Sequence, residues 1–236
     1  MRPAREAPES MAEVIVALDL PSGAEALALV DRLPGLRWVK VGSILMTREG
    51  PALVRELVAR GLEVFLDLKW HDIPNTVAGA VEQARAQGVR MATVHCLGGP
   101  VMLEAAARAA GDELGLVGVT VLTSHDPASY GAAVGRSEVD LLAEVERQAG
   151  RAVACGLRGV VCSPRETAAV RGRIGPGRWI VVPGIRRPGD AAGDQVRTAG
   201  PAEAAAAGAT HLVVGRPVLA AADPAAAFRA LQEAAG

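Results

Sequence analysis

The chain is poor in aromatic residues: three tryptophans, two phenylalanines and one tyrosine make up 3 % of its 236 residues. Its core must therefore be built from Val, Leu, Ile and Ala, and with half of the residues hydrophobic there are enough of them for a sizeable one. Cysteine is scarce as well. Cys96, Cys155 and Cys162 form no CxxC or other ligand spacing and read as reduced, packed thiols of a cytoplasmic protein. Neither sign of charge dominates, with a formal net charge of −1, so there is no electrostatic footprint for nucleic acid or an anionic membrane. No apolar run approaches the ~18 residues needed to span a bilayer. The opening MRPAREAPES mixes Arg with Glu and lacks the apolar stretch of a signal peptide. Residues 1–12 are expected to form a disordered tail, with Met11 an alternative start, and residues 13–236 the folded domain. No G-x-G-x-x-G follows the first apolar run, which counts against a dinucleotide fold. No pair of histidines has metal-ligand spacing, so no metal is expected.

What the chain does have is a regular alternation. Short apolar, β-branched runs fall at 14–18, 36–41, 62–68, 91–96, 114–119, 158–162, 178–183 and 210–214. Ala/Leu-rich helical patterns separate them, at 22–33, 50–60, 75–87, 99–110, 137–155, 164–171, 200–207 and 223–235. Nearly continuous hydrophobic strands joined by helices imply a parallel sheet covered on both faces. Eight such units in roughly 200–250 residues fit a closed (β/α)8 barrel, a single-domain TIM barrel of the α/β class, better than an open sheet.

A barrel of this kind carries its chemistry at the C-terminal ends of the strands. The polar residues there are Asp19 after the first strand, Lys40 in the second, Asp67 and Lys69 in the third, His95 in the fourth, Thr123 and Ser124 after the fifth, Arg186 after the seventh and Arg216 after the eighth. The densest stretch is FLDLKWHDIPNT, residues 65–76. Side chains two apart on a strand share a face, so Asp67 and Lys69 should point the same way, and Asp72 follows where Pro74 and Asn75 end the strand. Two carboxylates bracketing an ammonium are expensive to bury unless they pair. On spacing alone, a catalytic cluster and a structural ion pair are both open readings.

At the end of the eighth strand, VVGRPV offers Gly215 for close backbone approach, Pro217 for a helical first turn, and the forked guanidinium of Arg216. Loops after strands seven and eight of such barrels often hold phosphate. The long Gly-rich segment GIRRPGDAAGDQVRTAG, with Arg186, Arg187 and Gln195, reads as a lid beside that anion site.

With these residues assembled, the chain resembles the orotidine 5′-phosphate decarboxylase family. The motifs are ALD at 17–19, KVG at 40–42, DLKWHDIPNT at 67–76, VTVLTS at 119–124, PGIRRPGDAAGDQ at 183–195 and VVGRP at 213–217. Trp70 stands where relatives often have another aromatic. The resemblance implies decarboxylation of orotidine 5′-monophosphate to uridine 5′-monophosphate without metal or cofactor. Lys69 would be the general acid, flanked by Asp67 and Asp72, with Asp72 and Thr76 reaching the neighbouring site of a homodimer. Asp19 and Lys40 would bind ribose hydroxyls, and Thr123 with Ser124 would address the pyrimidine. Gln195, Arg216 and the Gly215 amide would hold phosphate, with Arg186 at the loop's hinge.

Two rivals stand beside this reading. Magnesium-dependent sugar-phosphate decarboxylases and hexulose-phosphate synthases resemble the same barrel, but carry a metal-binding acid where this chain has Lys40. A non-catalytic phosphate-binding barrel is the other, and it leaves Lys69 between two acids unexplained. His71 should alternate away from the mouth, His95 fits the floor or the core, and His125 and His211 have no evident partner. Leu45, Met46, Trp38 and Trp179 read as packing residues.

Overall fold

The computed structural model describes residues 12–186 and 198–236. The expected residue 1–12 tail therefore lies outside the described residues apart from Ala12, whose amide donates to Ala235 O. Eight parallel strands close on themselves in chain order: β1 (Glu13–Ala17), β2 (Trp38–Gly42), β3 (Glu63–Trp70), β4 (Met91–His95), β5 (Gly115–Val119), β6 (Gly159–Val161), β7 (Trp179–Val182) and β8 (His211–Val214). Each expected run overlaps one strand, and β8 pairs with β1 to complete the ring. Both faces of these strands are covered, which is why their sequences read as continuous apolar runs rather than alternating ones.

The helices are α1 (Gly23–Val30), α2 (Ser43–Glu49), α3 (Pro51–Ala59), α4 (Pro74–Ala86), α5 (Gly99–Ala110), α6 (Pro127–Val134), α7 (Leu141–Ala154), α8 (Thr167–Ile174), α9 (Pro201–Ala206), α10 (Arg216–Leu219) and α11 (Pro224–Ala235). The sequence pattern did not anticipate α2 or α6, whereas α10 starts where Pro217 suits a helical first turn. The first buries only Leu45, and α6 only Tyr130 and Gly131, so neither has an apolar stripe to read. What starts α6 is local chemistry: the Asp126 carboxylate accepts from Ser129 N, and Ser129 Oγ accepts from Asp126 N, a capping box.

Two apolar layers result. The larger lies between sheet and helices, and the smaller fills the barrel with Ile15, Ala17, Trp38, Phe65, Met91, Val117, Val181 and Val213. Two of the three tryptophans meet at the floor, where Trp38, Trp179 and His211 pack edge to face with centroids 5.1–6.3 Å apart. Glycine makes room for them: a Cβ on Gly115 would sit 2.1 Å from the Trp179 ring, and one on Gly159 would sit 1.9 Å from the Trp179 carbonyl oxygen. A plugged floor leaves the opposite, C-terminal end as the place where polar side chains can gather.

Candidate active site

The inward positions of β1 to β3 step from apolar to charged as the strands reach the mouth, and those of β4 from Met91 to the polar Thr93. In β2, Trp38 is followed two residues on by Lys40, and in β3 Phe65 by Asp67, so the charged side chains stand directly above the apolar layer. Their atoms form one chain of charge. Lys40 Nζ lies 3.1 Å from Asp19 Oδ1 and 3.6 Å from Asp67 Oδ2, and Lys69 Nζ lies 2.9 Å from Asp67 Oδ1. Lys40 and Asp67 are nearly enclosed, with side chains 11 % and 14 % exposed, whereas Lys69 at 40 % still faces the opening. Gly42 protects this packing, since a Cβ there would come within 3.1 Å of Lys40 Nζ.

Lys69 does meet Asp67, but simple alternation is not how it does so. The β3–β4 register shifts between Leu66 and Trp70, and Lys69 sits at φ 52°, the one non-glycine in the left-handed region among the described residues. That conformation costs about 1–2 kcal/mol for a residue with a Cβ, and it persists where its surroundings over-determine it. Thr93 supplies the surroundings. This fully buried residue accepts a hydrogen bond from Lys69 N at 2.8 Å and donates from the same oxygen to Asp67 Oδ1 at 3.1 Å. Sequence reasoning missed Thr93; its one visible signal was a polar residue in an inward position of an otherwise apolar strand.

Asp19, Lys40, Asp67 and Lys69 line a cavity of about 610 Å³ together with Thr123, Ser124, Arg186, Gly215 and Arg216. Arg186 is buried and donates to Ile185 O, and Arg186 N donates to Ala199 O, so the two ends of the long loop are tied together. Gln195 and Arg187, with the expected lid, lie outside the described residues. Asp72 and Thr76 are not brought into this cavity. Asp72 accepts from Ile73 N on the outer rim, and Thr76 is exposed in the first turn of α4. Beside them lies a shallow groove lined by His71, Asp72, Ile73 and Leu97, with Ile73, Leu97 and Val101 all exposed. His71 thus faces away from the mouth and stacks on His95, whose pKa burial lowers to about 4, helped by the His71 and Lys69 charges.

Among the described residues no three of His, Cys, Asp and Glu are grouped to hold a metal ion. Asp19 and Asp67, the obvious oxygen donors, are already engaged by ammonium groups, and a divalent cation would have to displace Lys40. Cys96, Cys155 and Cys162 are buried free thiols, and burial pushes that of Cys96 up to about 12. No helix among the described residues is long and apolar enough to cross a membrane.

Fold and mouth together define a TIM-barrel enzyme with a chain of charges at the C-terminal ends of its strands. The chain belongs to the orotidine 5′-phosphate decarboxylase / HUMPS family, which it matches over residues 12–231. It is 54 % identical over 226 residues to the orotidine 5′-phosphate decarboxylase of Halorhodospira halophila, covering 92 % of this chain and 93 % of that protein. Identity to the orotidine 5′-phosphate decarboxylase of Alkalilimnicola ehrlichii is 52 % over 231 residues, covering 94 % and 96 %. The crystal structure of orotidine 5′-phosphate decarboxylase from Lactobacillus acidophilus superposes with a TM-score of 0.84 at 34 % identity, covering 94 % of this chain and 98 % of that one.

Proposed function

We propose that Lys69 is the general acid of a decarboxylation that runs on fixed charge alone, without metal or cofactor. The reaction is orotidine 5′-monophosphate to uridine 5′-monophosphate, a step of pyrimidine-nucleotide biosynthesis, and family membership and the names of relatives about half identical over most of the chain support it. The observation that carries the mechanism is the Asp19–Lys40–Asp67–Lys69 chain of ion pairs at the mouth. As the C6–carboxylate bond breaks, carbon dioxide leaves and the bonding pair stays on C6 as a vinyl carbanion. The Lys69 ammonium stabilises that pair and donates its proton to C6; the neutral amine regains a proton from water. A preorganised cation in a site walled by low-dielectric strands is a large term of this kind. Asp67, held by Thr93 and Lys40, would lie close to the substrate carboxylate and disfavour the ground state more than the transition state.

Asp19 and Lys40 then take the ribose hydroxyls, and Thr123 and Ser124 the pyrimidine. Arg216, the Gly215 amide and Gln195 take the phosphate, with Arg186 at the base of the loop. Phosphate binding far from C6 supplies energy for orienting the reacting bond. The enzyme acts in the cytoplasm.

Asp72 and Thr76 complete the site of a second copy in a homodimer. Their exposure on an apolar rim supports this, because a monomer would leave Ile73 and Val101, 67 % and 68 % exposed, in water. Mixing Lys69→Ala with Asp72→Ala protein, each inactive alone, should return activity towards the quarter of sites that a random exchange of subunits leaves intact. No recovery after verified exchange would contradict a shared site.

The reaction itself is checked by the ultraviolet absorbance of orotidine 5′-monophosphate with purified protein and excess chelator. The substrate band is expected to disappear at the same rate with and without chelator. A band that persists in both would turn the reading to the metal-dependent sugar-phosphate branch of the family, assayed next with magnesium and a sugar phosphate.

A further inference from the structure

Outside the cavity, a polar cluster around the buried Glu144 joins α6 to α7. Glu144, in the first turn of α7, is only 5 % exposed. Its carboxylate accepts from Tyr130 Oη at 3.1 Å, Gln148 Nε2 at 2.8 Å and Arg136 Nη1 at 3.2 Å. Arg147 donates to it through both Nε and Nη2. Gln148 Nε2 also donates to Tyr130 Oη at 2.9 Å, so the chain's single tyrosine is held by two residues on one face of α7. Burial pushes the Glu144 carboxyl up, but the bonds from Arg147, Gln148 and Tyr130 outweigh it and hold the group down to about 2.

Apolar contacts could dock an eight-residue helix with a smaller desolvation cost than a buried carboxylate. What the charge network adds is direction, because its hydrogen bonds are met in only one seating of α6 on α7. That seating is passed towards the cavity. The His125 ring packs edge-on against Tyr130 at 5.9 Å, and His125 Nδ1 lies 3.2 Å from Ser129 Oγ of the α6 capping box. His125 directly follows Thr123 and Ser124, which line the cavity.

We infer that Tyr130 and Glu144 are positioning residues for base recognition: their hydrogen bond seats α6 and, through His125, fixes the Thr123–Ser124 segment against the cavity. The inference rests on the reading of Thr123 and Ser124 as the pyrimidine contact. Neither Tyr130 nor Glu144 touches the cavity, so any effect they have on the base is exerted through this loop.

Tyr130→Phe removes one hydroxyl and keeps the ring, and Glu144→Gln keeps the shape and removes the charge. Dissociation constants are measured for uridine 5′-monophosphate, which presents base and phosphate, and for ribose 5-phosphate, which lacks the base. Steady-state kinetics and thermal unfolding are run alongside, with Thr123→Ala as the reference. For Tyr130→Phe the nucleotide should weaken and KM rise roughly three- to tenfold, the scale of one lost hydrogen bond, with a smaller change in kcat and ribose 5-phosphate binding unchanged. Equal weakening of both ligands overturns the positioning role, because it marks a general loosening of the barrel; no change in either overturns it too. Should Glu144→Gln fail to fold with its arginines unpaired, Tyr130→Phe decides the matter alone. If Thr123→Ala weakens the nucleotide and Tyr130→Phe does not, the positioning role fails and the site reading stands. If Thr123→Ala leaves nucleotide affinity unchanged, the base contact and the positioning role fall together.

Discussion

Lys69→Ala should lower kcat by about four orders of magnitude or more, the combined scale of a lost general acid and a lost transition-state charge. That corresponds to about 5.5 kcal/mol of barrier, more than any other side chain at the mouth is asked to supply. The expectation follows from geometry. Lys69 Nζ is the ammonium in the chain of ion pairs that still faces the opening, while Lys40 is nearly enclosed between Asp19 and Asp67. Lys69→Arg should not rescue the loss, because a planar guanidinium that stays protonated cannot deliver a proton to carbon. Thermal unfolding should change little, since the side chain is partly solvated and exposed ion pairs contribute at most about 1 kcal/mol. Single-turnover measurement with saturating substrate separates chemistry from binding. A variant retaining kcat within about tenfold of the parent would remove Lys69 from the mechanism and leave the proton to another donor.

Stability should fall on acidification in two stages, the first beginning below about pH 6.5 and the second below about pH 4.5. His211 is buried in the barrel floor against Trp38 and Trp179, and burial, with the Arg37 charge behind it, lowers its pKa from 6.5 to about 3. The unfolded chain therefore takes up the proton first as pH drops below about 6.5, and the fold loses stability progressively until about pH 3, where the native ring also titrates. At about 1.4 kcal/mol per unit, His211 alone accounts for roughly 2 kcal/mol between pH 7 and pH 5. His95, lowered to about 4 mainly by burial, acts in the same direction over a similar range. The second stage belongs to Glu144. Its carboxylate, held near 2 rather than 4.5, contributes stability above about pH 4.5 and loses it as the pH falls towards 2. Denaturant midpoints from pH 8 to pH 4 measure the first stage, and His211→Leu should flatten the curve below pH 6.5. A parent curve that is flat from pH 7 to pH 5 would show that the floor histidine is not held neutral by the fold.

Much of this molecule was legible in its residues, and the limits of that reading are physical. Eight apolar runs spaced by helical patterns implied eight parallel strands, because strands covered on both faces need apolar side chains at every position, and each run overlaps one strand. The same spacing located the mouth, since polar residues at the ends of such runs have no apolar layer to join. Asp19, Lys40, Asp67, Lys69, Thr123, Arg186, Gly215 and Arg216 do converge there, lining one cavity. Three things required tertiary structure. The left-handed turn at Lys69 arises from a register shift against β4, and register is a relation between strands that neither strand encodes alone. Thr93 becomes a bridge between Lys69 and Asp67 only when β3 and β4 lie side by side; in sequence it is one threonine in an apolar strand. The Glu144 cluster joins residues from two helices, one of them missed because its start depends on a capping box rather than a hydrophobic period. Composition and periodicity determine which residues must be buried and hence the barrel. Which polar atoms then meet is decided by register and packing, because hydrogen bonds and ion pairs depend on separations of a few tenths of an ångström that no local pattern carries.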